Sequence, residues 1–176
     1  MSSYNRANAT FGAYAAALGL LVVIMGAMVL VVNARKQENI PSVDYGPDAA
    51  AVRAAAPFPV PVPEGLPEGW TPTISEVGSG GEGAPVAWTL GFATPDDRHA
   101  RLNVSGADPA EVLAEHIGAG EPEGAVRVRG EEWDRYSLGK GRYAMAHAGD
   151  EVTTVVSGST DYAELGVLAK SLKPRN

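Results

Sequence analysis

Three histidines, His99, His116 and His147, are the side chains in this sequence best suited to metal binding or proton transfer. Metal sites often use short spacings such as H-x-x-x-H or H-x-H, and neither spacing occurs here. Cysteine is absent, which excludes thiolate metal sites and disulfides. The sequence therefore predicts no metal ligands and no cofactor site.

Serine nucleophiles and phosphate-binding loops are the next candidates. Ser105, Ser157 and Ser159 each lie beside a glycine, but no G-x-S-x-G motif surrounds them, so turns explain the Ser-Gly pairs. The glycine-rich segment GSGGEG, residues 78–83, is not followed by G-K-[ST] and starts no helix. We interpret it as a hairpin loop.

Carboxylates could supply general acid and base groups, and Glu131, Glu132 and Asp134 lie close together in the sequence. A solvated strand edge is the favoured interpretation of this cluster. Asp96 and Asp97 have the composition of a turn. We predict no catalytic residue, and an enzyme is not the favoured class.

Composition limits the classes of protein further. The chain has 176 residues, of which 45% are hydrophobic and 20% charged, and its formal net charge is −7. It is too apolar to be a disordered chain, and its acidity disfavours binding to the phosphate backbone of nucleic acid.

A membrane anchor is predicted at residues 11–32, FGAYAAALGLLVVIMGAMVLVV, which contain neither a charge nor a proline. As a helix this run is roughly 33 Å long, enough for a hydrocarbon core of about 30 Å. It is too long for the apolar region of a signal peptide, although Val32-Asn33-Ala34 fits a cleavage site. An uncleaved anchor in contact with the lipid bilayer, preceded by a short tail of residues 1–10, is therefore favoured. Arg6 before the span and Arg35 and Lys36 after it barely discriminate between the two orientations.

A spacer is predicted at residues 33–63, because alanine and proline dominate this segment. The run PFPVPVP, residues 57–63, has the alternating prolines of an extended, polyproline-like chain, and the alanine-rich patch before it is too short to hold a helix alone. Such a spacer would hold a folded domain away from the bilayer.

The folded domain is predicted at residues 64–174, and Trp70 marks its start. Leu66 and Trp70 are expected to pack where the chain enters the domain, because a buried tryptophan removes on the order of 200 Å² from water. Alternating apolar residues then predict strands at 71–77, 86–94, 99–105, 125–130, 132–138, 142–148 and 151–158. Asp108 and Asp161 are expected to cap two helices. The fold class is α+β, an antiparallel sheet of six or seven strands covered by two helices.

An internal similarity connects the two helix starts. VSGADPAEVL, residues 104–113, and VSGSTDYAEL, residues 156–165, share a strand end, a glycine turn and a capping aspartate. The similarity is either a duplication or the same junction formed twice, and the second interpretation is favoured because nothing else in the two halves matches.

The whole pattern resembles an uncharacterised actinobacterial family of single-pass membrane proteins with a domain of unknown function. The resemblance is carried by the span, the proline-rich segment, LPEGW at 66–70, GEEW at 130–133 and the C-terminal TTVVSGSTDYAELGVLAKSL. It implies anchoring in the plasma membrane with the domain outside the cytoplasm, and it supplies no activity and no site residues.

Two classes of function follow. The favoured class is a tethered interaction module of the cell envelope, bound to a membrane protein or another envelope partner. The alternative is a small-ligand binding protein or an enzyme with a pocket between sheet and helices. A deep concavity lined by Trp88, Trp133, Tyr136 and Tyr143 with buried carboxylates would favour the alternative.

Overall fold

The computed structural model describes residues 6–38, 42–78 and 83–175, with two compact units at residues 1–40 and 41–176. The described part of the first unit is one helix, α1 (Arg6–Glu38). Within it, Tyr14–Val31 is long and apolar enough to cross a membrane, and none of this stretch is buried. These 18 residues rise roughly 27 Å, close to the thickness of a hydrocarbon core. The helix is therefore a candidate membrane anchor.

The second unit is built on a seven-stranded antiparallel sheet, as the sequence predicts. The strands lie in the order β2-β3-β4-β8-β7-β6-β5, so two meanders meet at the β4–β8 pair. Their bounds are β2 (Thr71–Val77), β3 (Ala87–Ala93), β4 (His99–Ser105), β5 (Glu121–Val128), β6 (Glu131–Gly139), β7 (Arg142–Ala148) and β8 (Thr153–Gly158).

Helices cover both faces of this sheet. On one face, α2 (Gly46–Ala55), α4 (Tyr162–Ser171) and a two-stranded ribbon of β1 (Val60–Pro63) and β9 (Leu172–Arg175) enclose the main core. On the other, α3 (Pro109–His116) packs on β7 and β8 through Val112. Neighbouring residues of a strand point to opposite faces, so Val156 belongs to the main core and Val155 to the α3 cluster. We call these the core face and the α3 face.

Residues 46–63 differ from the predicted spacer, because they form α2 and β1 and pack into the main core. Val52 and Val60 are 0% exposed, and Phe58 is also buried. The alternation of proline with Phe58, Val60 and Val62 is the period-two pattern of a half-buried strand as well as that of a polyproline segment. Both strands of a two-stranded ribbon are edge strands, where proline is tolerated. The domain therefore starts before residue 64.

Trp70 packs against the main core, as predicted, and so does Leu66. The Trp70 ring meets Phe92 edge to face at a centroid distance of 6.0 Å. It does not mark where the chain first enters the fold, because α2 already contacts β2. There Ser75 Oγ donates to Asp48 Oδ2 at 2.5 Å.

Both predicted helix caps are present. Asp108 accepts a hydrogen bond from the backbone N–H of Ala110, and Asp161 accepts from those of Ala163 and Glu164. The two capped helices lie on opposite faces of the sheet, although β4 and β8 are adjacent and antiparallel. A two-fold axis relating β4 to β8 would place α3 and α4 on one face. The repeated sequence is therefore the same junction formed twice.

A cluster of charges fastens the β1–β9 ribbon. Glu64 follows β1, and its carboxylate lies 3.1 Å from Lys173 Nζ and 2.6 Å from Arg175 Nη2. The hydrogen bonds from Arg175 and then Lys173 lower the pKa of Glu64 to about 2. The cluster joins the two ends of the domain.

Candidate functional site

The three histidines lie apart in the fold and have different partners. His147, on β7, stacks on Trp133 at a ring distance of 5.6 Å, and its Nδ1 lies 2.9 Å from the Glu132 carbonyl oxygen. His116 ends α3, where burial lowers its pKa; the charge of Glu115 opposes this shift and the charge of Arg101 adds to it. His99 is exposed at the start of β4. Among the described residues, no group of three or more His, Asp or Glu side chains is placed to hold a metal ion.

The predicted serines include two that lie near one another. Ser105 Oγ accepts a hydrogen bond from the Ala107 N–H and so belongs to a turn, as expected. Ser159 Oγ accepts from the His99 N–H at 3.1 Å, which ties the end of β8 to the start of β4. Ser157 is buried on β8. Ser157 and Ser159 line the same surface concavity, described below.

The carboxylate cluster does not converge on one site. Glu131 lies 3.9 Å from His147 Nε2, whereas Glu132 and Asp134 lie at the alternate positions of β6 and are exposed. Asp96 and Asp97 occupy the turn between β3 and β4, where Asp97 has φ 58°. Of the glycine-rich segment 78–83, residues 79–82 lie outside the described residues.

The four aromatic residues proposed for a ligand pocket do not line one concavity. Trp88 and Trp133 are 1% and 2% exposed and belong to the main core, whereas Tyr136 packs with the α3 cluster. The buried polar residues of the described chain are Thr, Ser and Asn, with no carboxylate among them. Within the described residues, the pocket that would have favoured the alternative class is therefore not formed.

A smaller cavity of about 270 Å³ lies between the core face and the β1–β9 ribbon. Trp133 and His147 line it together with Pro59, Pro61 and Pro174. Trp133 Nε1 is buried and has no hydrogen-bond acceptor among the described residues. The lining also includes Arg129, Glu131 and Thr154, so the cavity mixes apolar and charged groups of both signs.

A larger concavity lies on the α3 face, at one end of the sheet. Its volume is about 450 Å³, which is within the range of small-molecule sites. It is formed where β3 and β8 end and where β4 and β7 begin. We call it the basic concavity, lined by Thr73, Ile74, Gly91, Phe92, His99, Ala100, Arg101, Arg142, Ser157, Gly158 and Ser159.

Glycines keep this part of the sheet open. A Cβ at Gly91 would lie 3.1 Å from Ile74 Cβ, so any larger side chain would grow across the α3 face. At Gly158 a Cβ would overlap the backbone carbonyl oxygen of His99, so only glycine allows β8 to approach β4 so closely. The α3 cluster does not extend to Ile74, Gly91 or Arg101. The α3 cluster includes no described residue of β2, β3 or β4, and we call this half of the α3 face the open half-face.

The charge of the basic concavity is opposite to that of the chain. Arg101 and Arg142 both line it, and no aspartate or glutamate is among its described lining residues. Neither guanidinium has an ion-pair partner within residues 42–78 and 83–175. Close by on β4, Asn103 is buried, and its Nδ2 has no hydrogen-bond acceptor among the described residues. Asn103 does not line the concavity, so the donors that the concavity itself presents without a described ion-pair partner are the two guanidinium groups.

Sequence reasoning found three residues of this concavity, His99, Ser157 and Ser159, but did not connect them. It missed Arg101 and Arg142, which are exposed arginines at strand starts and lie far apart in the chain. Strand pairing brings these residues together, because β8 lies between β4 and β7. Ser157 on β8 pairs with Arg101 on β4 and with Ala144 on β7. The alternation of apolar and polar residues along one strand does not show which strands are neighbours in the sheet.

Comparison with known proteins shows the family to which the chain belongs. A family described as "Protein of unknown function (DUF4245)" matches residues 6–172. No curated protein matches the chain. A solved structure of the Pseudomonas aeruginosa MucA/MucB complex is similar with a TM-score of 0.40 and 17% identity, covering 66% of this chain and 35% of that one. That likeness is too weak to support any statement about activity.

Proposed function

Because the chain belongs to DUF4245, a family of unknown function, we propose a function from its geometry: it is a membrane-tethered interaction module of the cell envelope. Helix α1 is the single-pass anchor, and the domain of residues 41–176 stands outside the cytoplasm. The actinobacterial origin implied by the sequence pattern is part of this proposal. The module acts by binding a partner and not by catalysis.

The observation that carries the proposal is the open half-face. An antiparallel sheet can leave one face in water when that face is polar, because only uncovered apolar surface is unfavourable there. The α3 cluster includes no described residue of β2, β3 or β4, and the basic concavity at the end of this half-face is lined by arginine, serine and threonine as well as Ile74. A half-polar, positively charged concavity on an acidic protein favours binding over further core packing.

The anchor and its orientation can be tested with cysteine labelling, since the natural chain has no cysteine. Lys140→Cys places a thiol in the exposed β6–β7 turn, and Ser2→Cys places one in the N-terminal tail. We expect a membrane-impermeant maleimide to label Lys140→Cys in intact cells, and Ser2→Cys only after permeabilisation. The reverse pattern would place the domain in the cytoplasm.

The binding surface can be tested with a photo-crosslinker attached to single cysteines of the full chain in its native membrane. Thr73→Cys lies on the open half-face, and Ala51→Cys is exposed on α2 over the core face. A discrete crosslinked product is expected from Thr73→Cys and not from Ala51→Cys. Equal products from both positions, or a product from Ala51→Cys alone, would contradict a binding role for this face.

A further inference from the structure

We propose that the basic concavity binds a single phosphoryl group of the partner or ligand. This inference rests on the proposed function, since it assigns chemistry to the open half-face. The group would lie between Arg101 and Arg142, with Ile74 as its apolar neighbour.

The charge of the lining matches a dianion. Arg101 and Arg142 supply two permanent positive charges, because a guanidinium stays protonated in proteins. A phosphate monoester carries about −1.5 to −2 charges near neutral pH, whereas one carboxylate carries only −1. Neither arginine is neutralised by a described acidic side chain. A phosphoryl group would therefore balance the lining charge.

The donors of the concavity also favour a phosphoryl group. Arginine presents several N–H donors in a planar fork that suits phosphate oxygens. The Ser157 and Ser159 hydroxyls lie in the same lining, and the Ser159 hydroxyl proton stays free to donate because its oxygen accepts from the His99 N–H. The two arginines, the two serines and the His99 ring make five donor groups. The two oxygens of a carboxylate offer only about four lone-pair sites to accept them.

The surroundings of the concavity select against extended polyanions. The chain has 21 acidic and 14 basic side chains, so a long phosphate backbone near the concavity meets net repulsion. Asp96 and Asp97 lie in the β3–β4 turn at the same end of the sheet. The site is therefore suited to one isolated phosphoryl group on a small molecule or on a lipid headgroup.

The test uses the full chain in nanodiscs of zwitterionic phosphatidylcholine. Inorganic phosphate and glycerol phosphate are added against sodium chloride of equal ionic strength, and unfolding is followed by tryptophan fluorescence. A ligand that binds only the folded state raises the midpoint in proportion to the logarithm of its concentration. Arg101→Gln and Arg142→Gln are compared with Arg53→Gln, which removes the same charge from the exposed side of α2.

We expect both phosphate compounds to raise the unfolding midpoint, and each concavity variant to weaken binding roughly 10- to 100-fold, as for the loss of a charge-assisted hydrogen bond. Arg53→Gln should bind as the natural chain does. Binding of glycerol phosphate identifies a soluble source. If only nanodiscs containing phosphatidic acid, whose headgroup is a phosphate monoester, protect the domain, and both arginine variants abolish this, the source is a lipid headgroup.

Three results would overturn the inference: no phosphate-dependent shift in either format, an equal loss in all three variants, or stronger binding of succinate than of phosphate. Crosslinking from Thr73→Cys separates this failure from that of the proposed function. If Thr73→Cys still crosslinks specifically while no phosphate binds, the face is an interaction surface and only its chemistry is misassigned. If both fail, the open half-face has neither role.

Discussion

Phe58→Ala is expected to destabilise the domain severely, because the structure places this residue of the proline-rich segment inside the main core. Phe58 is 6% exposed and packs with Val52 and Val60 among the core residues. Removing a buried phenylalanine costs about 3–5 kcal/mol, and each kcal/mol lowers the midpoint of a domain of this size by roughly 4 °C. We therefore expect a decrease in midpoint on the order of 10–20 °C.

Gly106 contacts the Phe58 ring, so a substitution at Gly106 gives a second measure of how tightly Phe58 is packed. A Cβ at Gly106 would lie 2.6 Å from Phe58 Cε1, so Gly106→Ala forces a buried ring to move. Overpacking of this kind costs about 1–3 kcal/mol. In the Phe58→Ala background the added methyl meets empty space and the cost should vanish. The double-mutant cycle should thus give a coupling of about 1–3 kcal/mol.

The assay is denaturation of the full chain in detergent, followed by tryptophan fluorescence. All three tryptophans, Trp70, Trp88 and Trp133, lie in the domain, so the signal does not report on α1. Arg53→Ala, on the exposed side of α2, is the matched control and should change stability by less than about 0.5 kcal/mol. If Phe58→Ala is as mild as Arg53→Ala, residues 46–63 are a spacer in solution and our assignment of β1 to the core is wrong.

Three further experiments, with four substitutions, test separate parts of the domain. Glu64→Gln should lower the thermal midpoint at neutral pH, because the ionised Glu64 carboxylate, whose pKa is depressed, stabilises the fold. The difference from the natural chain should disappear as pH falls from about 4.5 to about 2, where this carboxylate becomes protonated. A difference independent of pH would refute this. Tyr162→Phe should remove from the ultraviolet titration a tyrosinate step with a pKa of about 12, raised chiefly by burial, and an unchanged titration would contradict it. Gly158→Ala should destabilise by overlapping the His99 carbonyl, whereas Gly166→Ala, with open space around it in α4, should stabilise by up to about 1 kcal/mol. Equal melts for the two glycine variants would contradict the close approach of β8 to β4.

Local sequence signals were sufficient for most elements of the sheet. The strands predicted at 71–77, 99–105 and 142–148 coincide with β2, β4 and β7, because alternation and turn residues delimit them clearly. Asp108 and Asp161 identified both helix starts.

The remaining elements depend on distant partners. The segment from Pro57 to Pro63 has the composition of an unfolded linker, and only its pairing with β9 makes it a strand. That pairing joins residues too far apart for any local rule to detect. The same applies to the basic concavity, where Arg101 and Arg142 are brought to one end of the sheet by strand order. Long-range contacts are decided by tertiary packing and not by propensity.

The pairing of β1 with β9 also has a consequence for biosynthesis. The ribbon joins segments at opposite ends of the domain, and its Glu64–Lys173 contact spans 109 residues. A ribosome adds about 5–20 residues per second, so β1 waits several seconds for its partner strand. During that interval Val60 and Val62 have no partner strand, and their apolar side chains are accessible to chaperones and proteases. A chain cut short before Leu172 would lack the partner strand of β1 permanently.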